Sequence, residues 1–80
     1  MKRVNELLLT DSEVGKNYKI TNVDKLGRKI RKRLYDMGLG NCVFLVVVKG
    51  KGPILLEVRE TRLAIGRGMA MKIEVEEIGE

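Results

Sequence analysis

Residues 42–60 read CVFLVVVKGKGPILLEVRE, and this stretch decides the fold. Cys42 to Lys49 is an apolar, β-branched run without alternation. It reads as a strand buried on both faces, such as one inside a small barrel. KGKGP (49–53) supplies turn chemistry. Ile54 to Glu60 then alternates, with Ile54, Leu56 and Val58 on one face and Leu55, Glu57 and Arg59 on the other. The two runs predict a central hairpin.

Downstream, Leu63, Ala64 and Ile65 form another short apolar run, followed by GRGMA (66–70), which is too rich in glycine for a long helix. Lys72 to Ile78 predicts a last strand, with Ile73 and Val75 facing in and Glu74 and Glu76 out. Upstream, Asn17 to Val23 alternates Tyr18 and Ile20 against Lys19 and Thr21, which predicts a half-buried strand. Asp11, Ser12 and Gly15 mark the turn leading into it.

Between these strands lies DKLGRKIRKRLYDMGL (24–39). Leu26, Ile30, Leu34 and Met37 recur at helical spacing and fall within roughly 80° on a wheel turning ~100° per residue. The pattern predicts one helix over about residues 25–37, with Asp24 as N-cap and Gly38 as a left-handed C-cap. Four or five short strands with one inserted helix make a mainly β protein, a small SH3-like antiparallel barrel. Closing the sheet leaves few free edges, which suits a short chain.

The 80 residues suffice for one domain, 1–80, with one core. Only Tyr18, Tyr35 and Phe44 are aromatic, so the core is expected to be aliphatic. The single cysteine, Cys42, excludes a disulfide framework and fits a reducing compartment. The apolar run Leu7–Leu9 is too short for a signal peptide, and no stretch approaches the ~18 apolar residues of a membrane span. A soluble, cytoplasmic protein is expected.

Catalytic chemistry lacks its usual parts. The chain has no histidine, hence neither the commonest general base nor the commonest metal ligand. One cysteine cannot build a structural zinc site. Cys42 opens an apolar strand and reads as a small hydrophobe rather than a nucleophile. Glu74 and Glu76 share one strand face and Glu77 lies on the other, which does not converge three carboxylates on an ion. Neither KGKGP nor GRGMA has the spacing of a phosphate loop. A binding protein, not an enzyme, is expected, with no cofactor and no metal site.

One constellation remains. The net charge is +5, and its excess lies in residues 1–40, with ten Lys/Arg against five Asp/Glu; residues 41–80 hold six of each. Within RKIRKR (28–33), Arg28, Lys29, Arg31, Lys32 and Arg33 are cationic, and Tyr35 follows on the same outer arc. Solvated helix faces normally mix signs. This run therefore reads as a functional electropositive surface, suited to an acidic protein, anionic lipid headgroups or nucleic acid.

The ordered set of motifs resembles the ferrous iron transport protein A (FeoA) family. The resemblance rests on Leu9, Gly15 and Ile20 in the opening, then Arg33, Leu34, Met37, Gly38 and Leu39 at the helix end. Gly52 and Pro53 follow in the turn, then Glu60, Arg62, Leu63, Ala64 and Ile65, and last Ile73 and Val75. The chain departs from the family pattern at four places. Gly40–Asn41 replaces a P-G pair, the turn aspartate before Pro53 is missing, Glu60 stands where glycine is usual, and GRGMA replaces a charged helical turn. The resemblance implies an SH3-like barrel and an iron-transport accessory role in the cytoplasm, in a family associated with transition metal ions. The implied partner is the cytosolic part of the ferrous iron permease, ferrous iron transport protein B. Self-association is a further contact, and the membrane is reached only through the permease. The expected contact surface is the basic helix face with the Leu39–Asn41 corner. The alternative is a nucleic-acid-binding barrel using the same face, although such barrels usually bring more stacking aromatics than Tyr35 alone.

Overall fold

A computed structural model describes residues 6–40 and 42–79 of the chain. Six strands and two helices follow in the order β1 (Glu6–Leu8), β2 (Asn17–Asn22), α1 (Arg28–Asp36), β3 (Phe44–Val48), β4 (Ile54–Val58), β5 (Thr61–Ile65), α2 (Arg67–Ala70) and β6 (Glu74–Glu77). A 3₁₀ turn, Leu9–Asp11, follows β1. The strands form one sheet, ordered β1-β6-β2-β3-β4-β5, in which every pairing is antiparallel. The mainly β, SH3-like reading is borne out, as are the hairpin of β3 and β4 and the closing strand.

The inward residues of β2 to β6 meet in a single apolar cluster that includes Tyr18, Phe44, Val46, Leu56, Ile65 and Val75. Register shifts between Ile20 and Asn22 and between Val46 and Val48 increase local bend and twist, which helps the sheet curl around that cluster. Leu9 donates its N–H to the Ile73 carbonyl at 2.9 Å, and this tethers the 3₁₀ turn to the segment entering β6.

Two expectations about the core are corrected. β3 is not buried on both faces: Phe44 and Val46 are buried, Leu45 and Val47 half-buried and Val48 exposed. Its outer face is only partly covered, so β-branching and not double burial explains the continuous apolar run. Nor is the core purely aliphatic. Tyr18 and Phe44 face each other directly across β2 and β3, with ring centroids 6.2 Å apart and planes tilted by 31°. The Tyr18 hydroxyl accepts the Glu13 N–H at 2.9 Å, which satisfies the polar end of a buried ring.

The helix is shorter than its periodicity predicts. It begins at Arg28 with Gly27 as N-cap, and no side chain caps it. Asp24 is not the cap, because residues 22–26 form turns of their own. The Asn22 side-chain oxygen accepts the Asp24 N–H at 2.7 Å, and Leu26 N–H bonds the Val23 carbonyl at 3.0 Å. The C-terminal end follows the sequence. Gly38 sits at φ +91°, its N–H bonds the Tyr35 carbonyl, and Leu39 N–H reaches back to Leu34, both at 3.0 Å. This is a Schellman cap, and its usual apolar contact partners, Leu34 and Leu39, are both buried. Met37, predicted on the core face, is 38% exposed; it is the C-cap, one residue past the last helical position.

Two elements go beyond the sequence reading. β1 pairs with β6, and GRGMA contains a single helical turn, α2.

Candidate functional site

The expected site is the outer surface of α1. Arg28, Lys29, Lys32, Arg33 and Tyr35 are all exposed there, so the structure brings these five predicted residues onto one helix surface. Arg31 is half-buried and turns aside. Its guanidinium lies 3.9 Å from the Asp24 carboxylate, and its Nε is buried without a hydrogen-bond partner. Among the described residues, Arg31 is the only one of the five cations in an ion pair.

The corner after the helix needs correction. Leu39 is 0% exposed, because a Schellman cap turns its C″ side chain back onto the helix. It holds the corner in place and offers no contact surface. Asn41 lies outside the described residues.

The charge order along α1 runs against the helix's own stability. A helix N-terminus carries partial positive charge and favours acids, while the C-terminus favours bases. Here the first turn has Arg28 and Lys29 and no acid, and Asp36 occupies the last helical position. Arg28/Lys32 and Lys29/Arg33 are like-charge pairs at i,i+4, each unfavourable by roughly 0.2–0.5 kcal/mol. No side chain caps the start, and only Arg33 in the last turn suits the dipole.

Three depressions flank α1. On one side, Ile30, Arg33, Leu34, Met37, Ala64 and Met69 line a mostly apolar groove of about 150 Å³ between α1, β5 and α2. On the other, Thr21, Asn22, Asp24, Arg31 and Tyr35 line a polar cavity of about 220 Å³. At the corner, Tyr35, Gly38, Gly40, Cys42 and Arg59 surround an open cavity of about 240 Å³. The Tyr35 ring lies directly over Gly40, where a Cβ would fall 1.9 Å from the ring's Cδ1. Glycine is thus required for the ring to take this position, although Tyr35 remains 57% exposed.

Sequence reasoning missed the apolar groove, since three separate segments build it. It also missed the β4–β5 turn, where Arg59 (φ 50°) and Glu60 (φ 69°) both adopt the left-handed conformation. The Val58↔Thr61 pairing makes this a two-residue hairpin, which demands that geometry and favours glycine or asparagine.

Among the described residues, no three His, Cys, Asp or Glu side chains are placed to hold a metal ion. Lys16 lies 3.0 Å from Glu13 and donates to it, which lowers the Glu13 pKa. The same contact raises that of Lys16, helped by Glu77 at 3.6 Å. Among the described residues, no helix is long and apolar enough to cross a membrane.

The FeoA domain model matches residues 7–77, nearly the whole fold just described. The chain belongs to the FeoA domain family. A protein of Methanocaldococcus jannaschii named as a candidate Fe(2+) transport protein A is 40% identical over 47 residues, 58% of this chain. That match spans 57% of the relative's own length. A crystal structure of an iron uptake regulatory protein (FeoA) superposes on this FeoA domain with a TM-score of 0.79 and 28% identity, covering 91% of this chain and 99% of that one. T. acidophilum IdeR shares the fold alone. Its TM-score is 0.80 at 16% identity, over 98% of this chain and 37% of that one.

Proposed function

We propose that this FeoA domain is a non-catalytic accessory protein of ferrous iron uptake, which docks onto the cytosolic part of the ferrous iron permease through the exposed cationic face of α1. The observation that carries the reading is the charge order of that helix. Arg28 and Lys29 stand at the wrong end for the helix dipole, and Lys32 and Arg33 repel them one turn later. Such an arrangement lowers the stability of an isolated domain, and an acidic partner surface would relieve it. Family membership, and the names of the iron-transport relatives, support iron uptake as the setting.

Docking would shift the permease between its conformational states only as far as the domain binds one state better than another. Arg28, Lys29, Lys32, Arg33 and Tyr35 form the contact. Nucleic acid is less well matched, since Tyr18 and Phe44 are buried and Tyr35 alone is left for stacking.

The test is a titration of the folded domain against the permease's cytosolic portion. Saturable binding on the order of tens of micromolar or tighter is expected, weakening with salt. Absence of binding with the barrel intact would overturn the proposal. So would submicromolar RNA binding with a steep salt slope.

A further inference from the structure

The groove beside α1 does not stand alone. Ala64, one of its lining residues, pairs with Leu55 on β4, and Leu55 pairs with Val48 on β3. Directly paired residues share a sheet face. Val48 is 51% exposed, Leu55 half-buried and Ala64 exposed. An apolar stripe therefore crosses the outside of the sheet and runs into the groove, whose walls include Met37 and Met69. Methionine walls adapt to varied occupants, and contiguous exposed apolar surface of this kind marks contact sites.

The rim is mainly cationic, with Asp36 the one acid of α1 on that flank. Arg33 lines the groove, and Lys29 lies one turn before it on the same flank of α1. Arg62 stands two residues from Ala64 on the same face of β5, with Glu57 4.0 Å away as the nearest acid. At about 150 Å³ the groove is smaller than the roughly 300–1,000 Å³ of small-ligand pockets, and is sized for side chains of a partner. Its α1 wall is built by Ile30, Arg33, Leu34 and Met37, at i, i+3, i+4 and i+7. That wall extends about 10 Å along the helix axis, the length over which a second helix can pack alongside.

We infer that the groove of α1, β5 and α2 docks an acidic amphipathic helix of a partner protein. Apolar side chains spaced at i, i+3/i+4 would seat between Met37, Ala64 and Met69, while acidic residues would meet Lys29 and Arg33. The inference rests on the reading of α1 as a protein-docking face, and adds the chemistry of the segment recognised there. An apolar centre with a charged rim is the usual anatomy of such a contact.

The experiment is a fluorescence anisotropy titration with a labelled helical peptide of about 15 residues, carrying leucines at i, i+4 and i+7 among glutamates. A scrambled peptide of the same composition is the control. The amphipathic peptide should bind at least about tenfold more tightly than the scrambled one. Ala64→Glu should weaken it about tenfold, and Arg33→Glu several-fold, with melting curves confirming the fold. Arg33 is exposed on the helix surface, so its variant keeps the test valid should Ala64→Glu not fold. Equal binding of both peptides would overturn the inference, as would indifference to both substitutions or displacement of the peptide by an RNA oligonucleotide. The permease's cytosolic portion is titrated in parallel. Permease binding that Ala64→Glu leaves unchanged while Arg33→Glu weakens it sinks the groove inference and spares docking on the permease through the cationic face. Groove binding of the peptide with no permease binding does the reverse.

Discussion

Strand β4 and helix α1 follow opposite rules. In β4, Ile54, Leu56 and Val58 point into the core and are buried, while Leu55 and Glu57 are half-covered outside. Each residue sits where burial or solvation favours it. In α1, only Leu34 is fully buried, no side chain caps the start, and Arg28, Lys29 and Asp36 stand at the wrong ends for the dipole. The difference separates two tasks. The barrel secures the fold, and the helix it carries is free to hold a charge pattern that stability alone would not select.

The sharpest way to break this comparison is to cut each region in turn. Leu56→Ala in β4 should cost about 2–5 kcal/mol, since it empties space in a close-packed core. In a domain this small that is a large share of total stability, which urea denaturation will show as a lower midpoint. Ile30→Ala in α1 should cost distinctly less, because Ile30 is only half-buried at the barrel's edge. If the two losses prove equal, the helix is as much a part of the fold as the strands.

The β4–β5 turn is the barrel's own exception, and it sharpens the rule. Glu60 sits at φ 69°, where an L side chain costs on the order of 1 kcal/mol and glycine costs nothing sterically. Glu60→Gly should therefore stabilise the domain by about 1 kcal/mol and raise its Tm by roughly 4–8 °C, as calorimetry can check. An unchanged Tm would mean that the Glu60 side chain compensates its own strain.

Much of the barrel was legible because its signals are local. The alternation in Ile54–Glu60 and in Asn17–Val23 needs only neighbouring residues, and Gly38 after a periodic run announces its own left-handed cap. The losses share a physical cause, which is competition or convergence over distance. Asp24 was a sound N-cap candidate until the Asn22 side chain took its N–H for a turn. β1 has three residues, too few to display a period, and is a strand only because β6 is there to pair with it. Leu39 looked like an exposed corner, yet the glycine that predicted the cap also implies that the leucine after it folds back. At the site, the cations were legible as a string, whereas the groove joins positions 30–37, 64–65 and 69 and has no linear signature.

Lys29→Glu tests α1 directly, with a smaller effect. It places an acid in the first helical turn and turns the i,i+4 repulsion with Arg33 into an attraction. Stability should hold or rise by roughly 0.5 kcal/mol, while affinity for the partner falls. A substitution that strengthens the fold and weakens the function is what a helix charged for docking should show. Loss of both together would place Lys29 in the fold instead.

The smallest effect belongs to the Glu13–Lys16 pair, an ion pair with ordinary, mutually favourable logic. Glu13 titrates below its usual 4.5 because Lys16 donates to it, so its contribution is present above pH 4.5 and fades as pH falls through the lowered value. Lys16 titrates above its usual 10.5 beside Glu13, so its share holds below pH 10.5 and is lost as pH rises through the raised value. Lys16→Gln should thus cost a small, constant increment between these limits, converging on wild type outside them in urea titrations at several pH values. Both side chains are solvent-exposed, so added salt should shrink the increment. The same salt should raise the stability conferred by α1, where the neighbouring charges repel. Opposite salt responses of Lys16→Gln and Lys29→Glu, each measured against wild type, would set the pair that serves the fold apart from the charges that serve the contact.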